Sequence, residues 1–195
     1  MDKPVKEYPT VGACGLDCGL CTKFYTAGPS RCPGCCGPDF FSKHPSCSFI
    51  TCCVEKRGFE TCGECPDFPC PKFKSQEEYE ARGLPGYPPD GKIIPNLNFI
   101  KEEGIREFVR LQQKRIRLLQ KMIEDFDDGR SRRLFCTSAA LLDLGRLEGS
   151  LREANQRMKA DADRKGRATL LKQLLNEEAA NQGINLMIKA RPRRS

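Results

Sequence analysis

The chain is poor in histidine, with one in 195 residues, and it has no tryptophan. A single His removes the commonest general acid–base residue and the commonest nitrogen ligand for metals. Long apolar runs are also missing. The longest uninterrupted one is Ala139 to Leu142, far short of the roughly 20 residues a spanning helix needs, so no membrane partner is expected. The first ten residues, from Met1 to Thr10, have no apolar h-region of a secretory leader. Walker-type phosphate loops, G-x-S-x-G and H-E-x-x-H are absent too, so no residue is assigned a catalytic role and the enzyme question stays open. At 195 residues a full (β/α)₈ barrel is excluded, since it typically needs about 250.

What is abundant is cysteine. There are 13, and 12 of them fall between Cys14 and Cys70. The first 95 residues also hold 13 of the 14 prolines and 11 of the 17 glycines, which marks this half as loop-forming. Charge divides the chain at the same place. Residues 1–95 carry 11 Lys+Arg against 12 Asp+Glu, a net of −1. Residues 96–195 carry 22 against 14, a net of +8, and together they give the overall +7.

Disulfides need an oxidising compartment, and an odd number of cysteines does not close a disulfide framework. Dense cysteines in a chain without a leader are therefore read as metal ligands in a cytoplasmic protein. Cys18-Gly-Leu-Cys21, Cys32-Pro-Gly-Cys35 and Cys62-Gly-Glu-Cys65 are three C-x-x-C units. Their intervening Gly or Pro turns both sulfurs toward one centre. Around them stand Cys14, Cys36, Cys47, Cys52, Cys53 and Cys70, which complete the set of 12 candidate ligands. In the adjacent pairs Cys35-Cys36 and Cys52-Cys53, extended backbone would send neighbours to opposite sides, so each pair is expected to serve two different sites. Zinc and iron–sulfur both prefer sets of four. The C-x-x-C half-sites suit zinc. The near-total absence of His, the Cys14/Cys18/Cys21 triad and the Cys70-Pro71 step suit a 4Fe–4S cluster. The triad is also the spacing of radical S-adenosylmethionine enzymes, but the chain lacks room for their barrel. His44 is read as a surface-loop residue and Cys136 as helix packing.

The segments Cys14-Gly-Leu-Asp-Cys-Gly-Leu-Cys21, Arg31-Cys-Pro-Gly-Cys35 and Cys62-Gly-Glu-Cys-Pro-Asp-Phe-Pro-Cys70 resemble the prokaryotic cysteine-rich domain of unknown function 3795 family. The stretch from Asn96 to Ile105 is similar to the segment that follows these motifs in longer members. The resemblance implies a bacterial or archaeal source and a metal-binding domain over about residues 10–75. It implies no reaction.

After Pro95 the pattern turns helical. Ile105, Phe108, Val109, Ile116, Leu119, Met122, Ile123 and Phe126 recur at steps of three and four, with Asn96 or Asn98 as the first cap. Ser131 is expected to cap a second helix through Leu142. A third is read over 147–162 and a fourth over 167–181, ended by Gly183. A short strand is read at Ile184–Ile188. Arg106, Arg110, Lys114, Arg117 and Lys121 form a basic stripe opposite the apolar face. Without interleaved aromatics, the stripe reads first as a solvated face rather than a nucleic-acid surface.

The expected fold is α+β, mostly α. Residues 1–74 form a cysteine-rich metal- or cluster-binding domain, 75–95 a Pro/Gly-rich linker that includes a short helix near 77–81, 96–190 a helical domain, and 191–195 a basic tail. The expected function is a cytoplasmic metalloprotein holding iron–sulfur clusters for electron transfer or redox sensing, with metal ions or clusters and a protein redox partner as its partners. The alternative is a zinc-stabilised module that contacts nucleic acid or a protein through the basic half. A thiol-pair enzyme is the third class.

Overall fold

The computed structural model describes residues 4–75, 77–79, 92–158 and 163–186. The basic tail 191–195 and the Gly/Pro stretch 83–91 lie outside them.

The cysteine-rich half is built from turns. It contains the 3₁₀ turns Cys18–Leu20, Thr22–Tyr25 and Cys62–Glu64, the single turn α1 (Phe40–Lys43), and a π-helical segment, Ile50–Lys56. Residues 77–79 form one further helical turn. Isolated turns bury few of their own backbone groups, so loop-to-loop hydrogen bonds carry the load. The Cys35 N–H donates to Pro9 O at 2.8 Å, Gly19 N–H to Thr10 O at 2.8 Å, Cys62 N–H to Ala13 O at 2.8 Å, and Lys6 N–H to Cys36 O at 3.1 Å. The first of these needs glycine beside it. Gly34 has φ +88°, and a Cβ there would stand 2.3 Å from the Pro9 carbonyl oxygen. No other residue fits that approach.

The second half is helical: α2 (Ile93–Glu103), α3 (Ile105–Phe126), α4 (Arg132–Leu141), α5 (Leu144–Arg157) and α6 (Arg164–Asn181). Gly104, with φ +87°, separates α2 from α3. The apolar stripe of α3 faces inward as its spacing demands, with Phe108, Val109, Leu119, Met122 and Phe126 buried. Asp143 and Asp163 cap α5 and α6 by accepting the N–H of Arg146 at 3.0 Å and of Gly166 at 2.7 Å. Among the described residues no helix is long and apolar enough to cross a membrane.

The two halves interlock. Leu20, from the cysteine-rich half, is fully buried in the helical core with Leu119, Phe126 and Phe135. In return, Ile93 and Leu97 of α2 pack among Cys35, Cys36, Cys53, Cys62 and Phe68.

Three local expectations change. The first helix begins at Ile93 and not at an asparagine cap. Asn96 lies inside α2, where its side chain reaches Gly15 and Asp17. Ser131 precedes α4 without capping it. Its hydroxyl donates to Asp128 Oδ1 at 2.6 Å, and the same oxygen takes the N–H of Arg130 and of Ser131. The strand is absent among the described residues. Gly183 N–H bonds Ala180 O at 3.1 Å and Ile184 N–H bonds Ala179 O at 2.8 Å, with Gly183 at φ +65°. This is a Schellman ending for α6. The alternation of Ile184 and Leu186 arises because both pack on the helical core. Met187 and Ile188 lie outside the described residues.

Candidate metal centres

The richest gathering of thiols surrounds a cavity of about 400 Å³ lined by Cys52, Cys53, Cys62, Cys65 and Cys70. Three pieces of backbone deliver them: the π-helical segment, the 62–64 turn, and the loop ending at Cys70. The wider π turn follows the Ser48–Phe49 helical residues and bends the chain so that Cys52 and Cys53 both reach the cavity. The Thr61 N–H donates to Glu64 Oε2 at 2.7 Å, which fixes the turn holding Cys62 and Cys65. Phe68 and Phe73 form an apolar wall, their rings edge to face at 5.1 Å. Cationic groups stand at the sulfurs. Arg57 Nη1 donates to Cys65 Sγ at 2.9 Å, while its Nη2 pairs with Asp67 at 2.6 Å. Lys72 lines the same cavity. Cys62 is hydrogen-bonded to Cys53, and this contact, with burial second, pushes its thiol well above the ordinary range.

A second group adjoins the first. The Ala13 N–H donates to Cys35 Sγ at 3.4 Å. The Cys36 thiol bonds Cys35, which draws the Cys35 thiol below its usual value and raises that of Cys36. Cys14 and Cys18 are electrostatic neighbours of Cys35, and burial pushes both thiols up, Cys14 to about 12. Cys47 is exposed but acts on Cys14 and Cys36. Lys6 is buried at 4% exposure, donates its Nζ to Val11 O, and favours thiolate at Cys18, Cys35, Cys36 and Cys62. A buried ammonium is costly without negative charge nearby, and Cys35, whose thiol is lowered to about 6, is the neighbour that supplies it.

Cys21 and Cys32 form a third, smaller neighbourhood that Cys136 adjoins. Cys21 is raised by burial. Cys136 sits at 2% exposure in the helical core, where burial lifts its thiol to about 12. His44 is half-buried and stacks on Phe40 at 4.9 Å.

The adjacent pairs are not on the extended backbone that would send neighbours to opposite sides. Cys36 is left-handed, with φ +54°, and turns its thiol to Cys35. Cys52 and Cys53 are on a helical turn and face one cavity. Sequence spacing alone missed Arg57 and Lys6, because their partnership with the thiols is made by the fold. Among the described residues no three His, Cys, Asp or Glu side chains already stand at ligating distance of a single ion.

The site is thus a thiol-lined, turn-built segment clamped against a helical bundle. Residues 10–75 match the model of a family described as Protein of unknown function (DUF3795), a span that takes in all twelve clustered cysteines and leaves the helical half outside it. No curated protein and no solved structure matches the chain.

Proposed function

We propose that the protein is a cytoplasmic metalloprotein that holds an iron–sulfur cluster in the cavity lined by Cys52, Cys53, Cys62, Cys65 and Cys70, for electron transfer or redox sensing. The observation that carries this reading is the cavity itself: five thiols around about 400 Å³. A zinc ion at about 2.3 Å from each sulfur draws four thiolates to within about 3.8 Å of one another and leaves no void between them. A water's share of liquid volume is about 30 Å³, so the cavity beside these thiols has room for a polyatomic group. The donor set is soft and uniformly sulfur, as iron–sulfur clusters require. When bound, such a cluster supplies one-electron redox chemistry.

The chain's own residues then have distinct tasks. Four thiolates of the five bind, Cys65 and Cys70 among them. Arg57 lends a hydrogen bond to the Cys65 sulfur and is oriented by Asp67. Phe68 and Phe73 limit water access on one side. The group at Cys14, Cys18, Cys35 and Cys36, beside Lys6, is the candidate for a second centre.

The basic stripe on α3 does not favour a nucleic-acid function. Its five cations are exposed, and Arg110 is engaged with Glu107 at 2.7 Å. That is the behaviour of a solvated helix face.

The test is anaerobic purification followed by iron, zinc and acid-labile sulfide analysis and a visible spectrum. Iron with sulfide in near-equal amounts and a broad absorption that bleaches on reduction support the proposal. Zinc alone at full occupancy overturns it.

A further inference from the structure

A separate cavity of about 250 Å³ lies where the cysteine-rich loop meets α2, α3 and the end of α4. It owes nothing to the thiol centres. Its wall is of two kinds. Phe99, Phe108, Leu111 and Ala140 form an apolar side. Polar groups supply the rest: the carboxyl of Asp17, which burial raises above the ordinary carboxylate range, and the cations of Lys92 and Arg115.

The acceptor side is well built. Asp17 is 6% exposed and Gln112 is 2% exposed. Asp17 takes the Asn96 amide on Oδ2 at 2.9 Å and the Gln112 amide on Oδ1 at 2.9 Å. A carboxylate offers about four lone-pair sites, so two remain. The second N–H of Gln112 goes to Thr10 O at 3.1 Å. With both its donors held by acceptors, the amide orientation is fixed, and Oε1 is left buried without a partner.

The donor side is equally specific. Lys92, Pro95, Asn96 and Phe99 fall on one face of the first turns of α2, so that helix lays the side of its first two turns along the cavity. Lys92 precedes the helix without capping it by its side chain. Arg115 is anchored by donating Nη1 to Ala139 O at 2.8 Å and Leu142 O at 2.7 Å, which holds the guanidinium at the cavity wall.

We propose that this cavity binds a small zwitterion of the α-amino-acid class with an apolar side chain. The ammonium lies toward Asp17, the carboxylate toward Lys92 and Arg115, and the side chain against Phe99 and Phe108. A lone amine or a lone carboxylate leaves one end of the cavity unmatched. Because Asp17 lies between Cys14 and Cys18, occupancy also braces the loop that carries those thiols.

Titration calorimetry and thermal melting of the full-length protein test this, with L-leucine and L-phenylalanine as probes. Isopentylamine and 4-methylpentanoate serve as the single-charge counterparts of leucine. The expected result is one site per chain for an amino acid, a raised melting temperature, and binding at least about tenfold weaker for each counterpart, the loss that one charged hydrogen bond implies. Lys92→Met should weaken leucine by a similar factor. Leu111→Trp, which fills the cavity from its wall, should abolish binding in a folded chain; circular dichroism checks folding. Absence of any amino-acid binding at millimolar concentration overturns the proposal. So does equal affinity for the amine or the acid alone, or leucine binding unchanged in both variants.

Discussion

Asn96 and Asp17, 79 residues apart in the chain, are joined by a hydrogen bond of 2.9 Å, and the same Asn96 amide donates to the Gly15 carbonyl at 2.8 Å. One side chain on α2 thus fixes the loop between Cys14 and Cys18 against the helical half. Asn96→Leu leaves the buried Asp17 carboxylate short of a donor. The expected loss is about 1.5–3 kcal/mol, the worth of a hydrogen bond to a charged group. Asn96→Asp should cost more, since it sets a second carboxylate against the first. Urea denaturation reads this as a lower midpoint at unchanged slope. A midpoint equal to wild type in both variants would remove Asn96 from this role.

Lys6 supplies the charge balance of the Cys14/Cys18/Cys35/Cys36 group. Partners that orient or neutralise metal ligands typically change metal affinity by about 10- to 100-fold when removed. Lys6→Met is therefore expected to lower metal retention about tenfold or more in a chelator challenge, while Lys6→Arg retains most of it. Equal retention in all three proteins discards the counter-charge role.

Arg57 makes a different contribution, because its hydrogen bond ends on a sulfur. Hydrogen bonds to ligating sulfurs raise a cluster's reduction potential. A lost interaction of about 1.4 kcal/mol corresponds to about 60 mV for a one-electron couple. Arg57→Met should therefore shift the potential negative by roughly that amount with iron content little changed. Asp67→Asn should give a smaller shift, because the loss of the orienting carboxylate and the loss of its negative charge at the cavity act in opposite directions. A potential unmoved by Arg57→Met, with the cluster intact, contradicts the role given to that bond.

Cys136 and Cys70 should respond in opposite ways to the same substitution. Cys136 is in the helical core, so Cys136→Ala costs about 1–2 kcal/mol of stability and leaves metal content whole. Cys70 lines the thiol cavity, so Cys70→Ala should lose bound metal with a lesser effect on the helical core. Metal analysis and thermal melting of the two variants separate the roles. Loss of metal in Cys136→Ala would extend the ligand set into the bundle.

How much of this was legible in the sequence depended on range. The helical half was readable because Ile105 to Phe126 repeats at three and four, and the burial of Phe108, Leu119, Met122 and Phe126 follows from that period. The inward role of Cys136 was readable for the same reason. The end of α6 was not: Ile184 and Leu186 alternate like a strand, but a glycine in the left-handed region closes the helix and folds both onto the core. The directions of the adjacent cysteine pairs are not legible in the sequence, because they depend on the φ of Cys36 and on a π turn at Cys52, neither of which spacing encodes. Asn96 looked like a cap because its nearest sequence signals are local. Its true partners, Gly15 and Asp17, come from the other end of the chain.

Asp128 gives a prediction in pH. Its Oδ1 accepts the Ser131 hydroxyl at 2.6 Å and the N–H groups of Arg130 and Ser131 at 3.0 and 2.9 Å, and these bonds hold its carboxyl down from 3.8 to about 2. A depressed carboxyl stabilises the fold while it is charged. The contribution is present in full above the unfolded value near 3.8 and is lost as pH falls through about 2. The start of α4 should therefore loosen between about pH 4 and pH 2. In Asp128→Asn that part of the acid sensitivity disappears, because no proton is taken up there on unfolding. Urea midpoints of the two proteins, measured from pH 5 down to pH 2, should converge as the pH falls. Parallel curves over that range would show that the carboxyl contributes nothing to the acid lability of the turn.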